Sequence, residues 1–331
     1  MNGVTGGAKS TINNVYKTTE ETNKFKIFIG KLLKDIIRYK YVYILALPVI
    51  LYYVLFCYVP MYGTVIAFKN YSPSVGIWES PWAKNNGLGH FISFLSNPST
   101  FRIIRNTLLI SVYDIIFAFP APIIFALLLN ELKSRRFKKT VQTLTYLPHF
   151  ISIMVVCGLI FTFTARDGFI NNIIAFFGGE RSNLLIKPEL FRTIYVSSNI
   201  WQGVGWGSII YLAALSGVDP QLYEAARIDG ASKFKQVLNI TIPGILPTIV
   251  IMFILRMGSL LSVGYEKIIL LYNPLTYETS DVISSYVYRR GLIDTDYSFS
   301  TAVGLLNSVV NLIIIWITNK ISRQLNETSL W

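Results

Sequence analysis

Two fully charged side chains, Asp114 and Arg256, stand inside stretches that are otherwise long and apolar. A charge at the centre of a bilayer costs about 2.5–3.5 kcal/mol on insertion scales, so each needs a counter-charge or water. If their segments are helices, a rise of 1.5 Å per residue puts both roughly 12–14 Å below the outer surface. Matched depth permits an ion pair between them. Glu266, ten residues after Arg256, is a rival partner. A third role for Arg256 is to line an aqueous pathway and meet hydroxyls or carboxylates of a passing solute. Neutral polar residues are grouped in the same way. Asn199, Gln202 and Trp206 lie three and four apart and share one helical face, with Trp201 and Tyr211 on the same segment. Asn307 and Asn311 lie four apart, and Tyr265 and Glu266 close the set of candidate pathway residues. Polar side chains in an apolar segment face a bundle interior or a water-filled cavity. They serve equally for helix–helix hydrogen bonding, and Gly203, Gly205 and Gly207 favour that reading because small residues let helices pack closely.

Other chemistries find no support. The pattern G-x-x-x-x-G-K-[ST] does not occur, so the chain has no P-loop of its own. His90 and His149 have no partners at metal-ligand spacing, and Cys57 and Cys157 form no disulfide framework. No metal site, bound cofactor or catalytic residue is expected. An intramembrane protease or acyltransferase would need paired aspartates, or Ser with His, within the apolar segments.

The elements that must hold these residues are membrane helices. Of the 331 residues 52% are hydrophobic and only 15% charged, where a soluble domain has about a quarter charged; mean hydropathy is +0.47. Six segments reach the ~20 residues needed to span a bilayer: 42–68, 103–129, 141–163, 193–215, 244–263 and 299–319. Backbone polar groups cannot stay open in lipid, so each is expected to be helical. Orientation follows Lys and Arg. With both termini inside, 18 of the 30 fall on the inner side, and Lys133, Arg135, Arg136, Lys138 and Lys139 make the densest cluster. The net charge of +12 therefore sits largely beside the membrane, where anionic lipid attracts it, and does not point to nucleic acid. Residues 1–22 are polar and expected to be a disordered cytoplasmic tail. In 23–40, Phe25, Phe28, Ile29, Leu32, Leu33, Ile36 and Ile37 recur at helical spacing, giving a basic amphipathic helix for the inner lipid surface or a partner subunit. Residues 41–323 form the transmembrane domain and 324–331 a second cytoplasmic tail.

The connection 219–243 is polar between apolar neighbours. Asp219-Pro220 makes a helix start, with Asp219 as N-cap and Pro220 at the first position. A two-turn helix to Ile228 follows. Gly230 supplies a bend, and a second helix, Ala231 to Ile240, is expected to stop before Pro243. Two short helices at an angle make a knob; small Ala225, Ala226 and Ala231 admit a partner surface, and Glu224 and Asp229 can meet basic groups on it. The order Glu224, Ala225, Ala226, then Gly230, Ile240 and Pro243, resembles the EAA loop of ABC importer permeases, with Ile242 where that family more often has Leu. In that family the loop is the cytoplasmic element that docks into the ATPase. The resemblance implies this coupling role for Glu224, Ala225, Ala226, Asp229, Gly230, Ala231 and Pro243. It also agrees with the Lys/Arg count, which independently puts the loop inside.

Residues 104–323 are similar to the permease core of type I ABC importers. The stretches Phe119–Leu132 and Tyr265–Leu292 resemble its carbohydrate group, in the oligosaccharide and polysaccharide branch. The resemblance implies an all-α, polytopic, six-span fold in the bacterial cytoplasmic membrane. It further implies a homologous second permease chain as heterodimer partner, two ATPase subunits carrying ATP and Mg, and an extracytoplasmic solute-binding protein that delivers the sugar. In this setting the aromatic candidates suit sugar rings, and the amides and carboxylates suit hydroxyls. Trp78 and Trp82 in the first outer loop serve either as interfacial anchors or as a docking surface for that binding protein. The run Asp281–Leu292 is expected to form a short outer helix. The competing readings are a permease for a non-sugar solute and an ion-coupled secondary transporter. The latter often shows inverted repeats with broken helices, which are not visible in this sequence.

Overall fold

The structure, a computed structural model, describes residues 34, 35, 37–326, 329 and 330, and among them every regular element is helical. Most of the expected amphipathic helix at 23–40, the tail 1–22 and part of the tail 324–331 lie outside the described residues. The chain divides into two units, residues 1–64 and 65–331.

In the first unit, α1 (Lys40–Tyr52) runs into a π-helical turn, Tyr53–Tyr58, and a short helix, Val59–Met61. The apolar segment Lys40–Phe68 is long enough to cross a membrane, and α1 has no buried side chain.

The second unit holds α2 (Gly89–Leu95), then α3 (Pro98–Tyr113), which passes through a π-turn at Asp114–Ala118 into α4 (Pro120–Glu131). Next come α5 (Arg135–Tyr146), α6 (Ile153–Thr164) and α7 (Phe169–Phe176). The 29-residue α8 (Pro188–Ser216) leads to α9 (Pro220–Ile228), α10 (Lys233–Gln236) and α11 (Ile242–Met257). The short helices α12 (Tyr265–Leu271), α13 (Tyr277–Ser280) and α14 (Ile283–Tyr288) precede the long α15 (Tyr297–Asn326). Helix starts follow side-chain chemistry: Asn97 caps α3 at Ser99 N, and Ser134 and Ser152 cap α5 and α6 at Phe137 N and Val155 N.

Three expectations about the segments are corrected. The segment 141–163 is not one helix: α5 ends in a 3₁₀ turn, Leu147–Phe150, and α6 restarts after Ser152. Pro148 cannot continue the α-helical hydrogen-bond ladder, and Ser152 caps the new start. The apolar segment here that is long enough to cross is Ile153–Phe176, with a turn at 165–168. The segment 244–263 loses its helix at Met257, and 258–264 are turns and coil. Finally, Pro243 does not stop the preceding helix. The chain goes from α10 through a π-turn, Val237–Thr241, directly into α11 with Pro243 in its first turn.

One physical cause links that third correction to the other helices. Proline lacks an N–H and its ring collides with the carbonyl four residues back. At three places the residue just before a proline bonds five residues back instead: Val59 N to Val54 O before Pro60, Phe119 N to Asp114 O before Pro120, and Ile242 N to Val237 O before Pro243. The wider turn makes room for the ring without ending the helix.

Among the described residues five helical segments are long and apolar enough to cross a membrane: Lys40–Phe68, Pro98–Glu131, Ile153–Phe176, Lys233–Met257 and Tyr297–Gln324. The α8 helix, about 44 Å long, covers the expected segment 193–215 but is diluted by Asn199, Gln202 and three glycines. It packs against α4, α5 and α11. Its N-terminal half joins a core of Ile110, Val156, Phe191, Tyr195 and Ile268, and its C-terminal half one of Ala126, Tyr211, Leu215 and Ile245. Lipid is as apolar as these side chains, so close packing and hydrogen bonds hold such a bundle. A Cβ on Gly205 would lie 2.2 Å from Thr145 O, and one on Gly207 would lie 3.2 Å from Pro122 Cβ. Gly203 has nothing within 4 Å. Two of the three glycines are thus helix contacts, and the third opens onto space.

Candidate functional site

The open space beside Gly203 is a cavity of about 560 Å³ between α3–α4, α8, α11 and the 258–264 turn. The π-turn at Asp114 and the polar face of α8 form facing walls. Asp114, Asn199, Gln202, Tyr211 and Arg256 all line it.

The two charges predicted at matched depth are paired: Arg256 Nη2 donates to Asp114 Oδ2. Asp114 is 9% exposed at its side chain and Arg256 46%, so the carboxylate is buried and the guanidinium reaches the cavity. Glu266 is exposed and forms no ion pair among the described residues. Asn199 Nδ2 donates to Asp114 Oδ1 (3.3 Å), and Lys267 Nζ donates to Asn199 Oδ1 (2.8 Å). Four side chains from α11, the π-turn, α8 and α12 thereby make one row: guanidinium, carboxylate, amide, ammonium. Lys267 is 3% exposed, and its Nζ also stands 5.7 Å from the centre of the Tyr195 ring. Lys267 lies outside the membrane-crossing segments; burial pushes its pKa down to about 8, with the Cys157 thiol opposing.

The other candidates separate. Trp206 does not line the cavity but stacks flat on His149, which does, with ring centres 4.6 Å apart. Tyr265 stacks on Tyr288 at 5.9 Å. Asn311 serves packing: its Oδ1 accepts from Leu261 N and its Nδ2 donates to Ser262 Oγ, both at 3.1 Å, pinning the 258–264 turn to α15. Ser111 Oγ holds the same turn through Leu260 O. Asn307 Oδ1 is buried without a hydrogen-bond partner. Sequence reasoning missed Lys267, Tyr195 and His149. Lys267 reads as a solvated outer-loop charge, and His149 becomes visible only through the helix break at Pro148.

The connection 219–243 forms a knob of α9 and α10. Asp219 accepts from Gln221 N (2.9 Å), and Gly230, where a bend was expected, has φ +72°, a left-handed conformation that favours glycine. Glu224, Ala225, Asp229, Gly230 and Pro243 are exposed, and Ala226 and Ala231 half-buried. Tyr223 Oη and Thr241 Oγ1, 3.0 Å apart, tie the knob to the start of α11, and Lys233 bridges to Glu131 of α4 at 2.8 Å. Ile228 and Phe234 are 87% and 72% exposed. An apolar, acid-bearing surface of this kind suits docking on another protein. Among the described residues no group of three His, Cys, Asp or Glu could hold a metal ion.

Comparison with known proteins places these features in a family. Residues 111–327 match the model of the binding-protein-dependent transport system inner membrane component. The chain is 44% identical over 302 residues to the polygalacturonan/rhamnogalacturonan transport system permease protein YteP of Bacillus subtilis, covering 91% of this chain and 93% of that one. It is 43% identical over 295 residues to Protein LplB of the same organism, covering 89% and 92%. Among solved structures it is similar to a bacterial ABC transporter involved in the import of the acidic polysaccharide alginate. There the identity is 44%, the TM-score 0.82, and the coverage 89% of this chain and 99% of that one. It is likewise 44% identical, with a TM-score of 0.82, to a bacterial alginate ABC transporter solved in complex with an alginate pentasaccharide-bound periplasmic protein, covering 90% of this chain and 99% of that one.

Proposed function

Because this chain belongs to the family of binding-protein-dependent transport system inner membrane components, we propose that it is one transmembrane subunit of an ATP-driven oligosaccharide importer. The observation that carries the reading is the pairing of two features on one bundle. One is a cavity of about 560 Å³ inside it, with charged, amide and aromatic side chains set among apolar ones; the other is an exposed knob at the 219–243 connection. The cavity suits a solute rich in hydroxyls: Asn199, Gln202 and Arg256 offer hydrogen bonds, and His149 and Tyr195 offer ring faces and edges. Relatives named for polygalacturonan and for alginate support a sugar oligomer.

In this reading an extracytoplasmic binding protein delivers the sugar, a homologous second permease completes the pathway, and two ATPase subunits bind ATP and Mg. The knob from Glu224 to Pro243 lies on the cytoplasmic side of the bacterial membrane with both termini. Closure of the ATPases on ATP pushes the knob, and Tyr223–Thr241 and Lys233–Glu131 pass the movement to α11 and α4. The ATPases can shift the bundle only by binding its two states differently. The test is reconstitution of the four components in proteoliposomes. Uptake of labelled oligosaccharide should need ATP and the binding protein. Uptake driven by an ion gradient without ATP would establish the secondary-transporter alternative, and uptake of a non-sugar solute alone would reject the substrate class.

A further inference from the structure

The row of groups on the cavity wall does not balance in charge. Asp114 answers Arg256 directly, and both are in contact. Lys267 has only the neutral Asn199 amide at 2.8 Å and the Tyr195 ring at 5.7 Å, and among the described residues it forms no ion pair. Of the groups near it, the Cys157 thiol on α6 acts on this charge only when ionised, and at pH 7 that thiol and the Tyr195 phenol on α8 are protonated and neutral. Asp114 and Arg256 lie beyond Asn199. On its own helix Tyr265 is stacked on Tyr288, and Glu266 is exposed. A cation that is 3% exposed and lacks a counter-ion is expensive to maintain unless an anion arrives to meet it. Among the described residues its only hydrogen-bond acceptor is the side chain of Asn199, which lines the cavity.

We propose that Lys267 is a specificity-determining residue that favours solutes bearing carboxylates, so that this permease prefers oligosaccharides of uronic acids to neutral oligosaccharides of the same length. The inference rests on the oligosaccharide reading above. A neutral sugar finds all it needs in Asn199 and Gln202 and gains nothing from the ammonium behind them. A carboxylate beside Asn199 sits within about 7 Å of an uncompensated positive charge. At an effective dielectric near 20 that is worth roughly ten- to a hundredfold in affinity. Arg256 adds little to this preference because Asp114 already cancels its charge.

The test uses the assembled transporter with its binding protein in proteoliposomes. ATP-driven uptake of trigalacturonate is compared with that of its fully methyl-esterified, uncharged form. The binding protein is common to all variants, so its own preference cancels when variants are compared with wild type. Lys267→Met should lower the acidic-to-neutral uptake ratio at least tenfold, and Lys267→Arg should hold it within about twofold. In the wild-type complex the ratio should also fall between pH 7 and 9.5, as the ammonium loses its proton around pH 8, and it should stay level in Lys267→Arg. A ratio unchanged in Lys267→Met overturns the proposal. If Lys267→Met does not assemble, a wild-type ratio that is flat across this pH range overturns it instead. A wild-type complex that moves neither sugar removes the oligosaccharide reading, and this inference with it.

Discussion

Cutting the Asp114–Arg256 pair from its two ends should give unequal results, because the ends are unequally buried. Arg256→Met removes the guanidinium and leaves Asp114, 7% exposed, with a single donor, Asn199 Nδ2 at 3.3 Å. Stranding a buried charge in this way costs about 3–5 kcal/mol. Asp114→Asn leaves the guanidinium instead. Its side chain is 46% exposed toward the cavity, so water can take the place of the carboxylate. Loss of a half-exposed pair costs at most about 1 kcal/mol. The two single variants should therefore differ by roughly 3 kcal/mol, about a hundredfold in unfolding equilibrium. The double variant should recover most of the Arg256→Met loss, because removing the second charge also removes the stranded one. Equilibrium unfolding of the purified complex by SDS titration in mixed micelles would measure this order. An Arg256→Met protein as stable as Asp114→Asn, or a double variant that loses the sum of both, would show that burial of the carboxylate does not govern this site.

Gly205→Ala should destabilise the bundle by about 1–3 kcal/mol, since the new Cβ would meet Thr145 O at 2.2 Å, whereas Gly203→Ala enters open space and should be neutral in the same unfolding assay; equal stabilities would refute the α5–α8 contact. Glu224→Ala, at an exposed position, should insert and fold normally yet reduce ATP-driven uptake at least tenfold; unchanged uptake with unchanged substrate-stimulated ATPase activity would dissociate the knob from coupling. In a background without Cys57 and Cys157, an impermeant thiol reagent applied to intact cells should label Lys84→Cys, an exposed site, and miss Ser10→Cys and Ser329→Cys. Labelling at either terminus would reverse the assigned orientation.

Much of this architecture can be read from local chemistry. Asp219-Pro220 encodes its helix start in two adjacent residues, and Gly230 marks a bend, which the structure makes with a left-handed backbone. The Asp114–Arg256 contact was accessible because cost and depth are both sequence quantities, although depth alone could not show that the two helices are neighbours. The break at 147–152 was hidden because apolar residues continue across it, and hydropathy registers composition rather than hydrogen bonding. The same blindness extended the fifth segment past Met257 into Gly258, Leu260 and Leu261, which are apolar but turn back under the hold of Asn311. Lys267 was out of reach for a different reason. Its burial is created by α6 and α8, elements distant in sequence, and nothing adjacent to it marks it as other than a surface charge.

The turns before Pro60, Pro120 and Pro243 have a numerical side. Each holds one residue more than an α-helix would use for the same advance, so the face presented after the turn is offset by about 100° from the face presented before it. The register of α4 relative to α3 is therefore a matter of counting. Deleting any one of Ile115, Ile116 or Phe117 would allow an ordinary helical turn to close in place of the Asp114–Ala118 turn. Every side chain on one side of the deletion would then swing about a quarter of a revolution past those on the other. Asp114 and the Pro122 edge that meets Gly207 could no longer face α8 together. A lost codon at this point acts as a rotation, and one that no substitution of a side chain could reproduce.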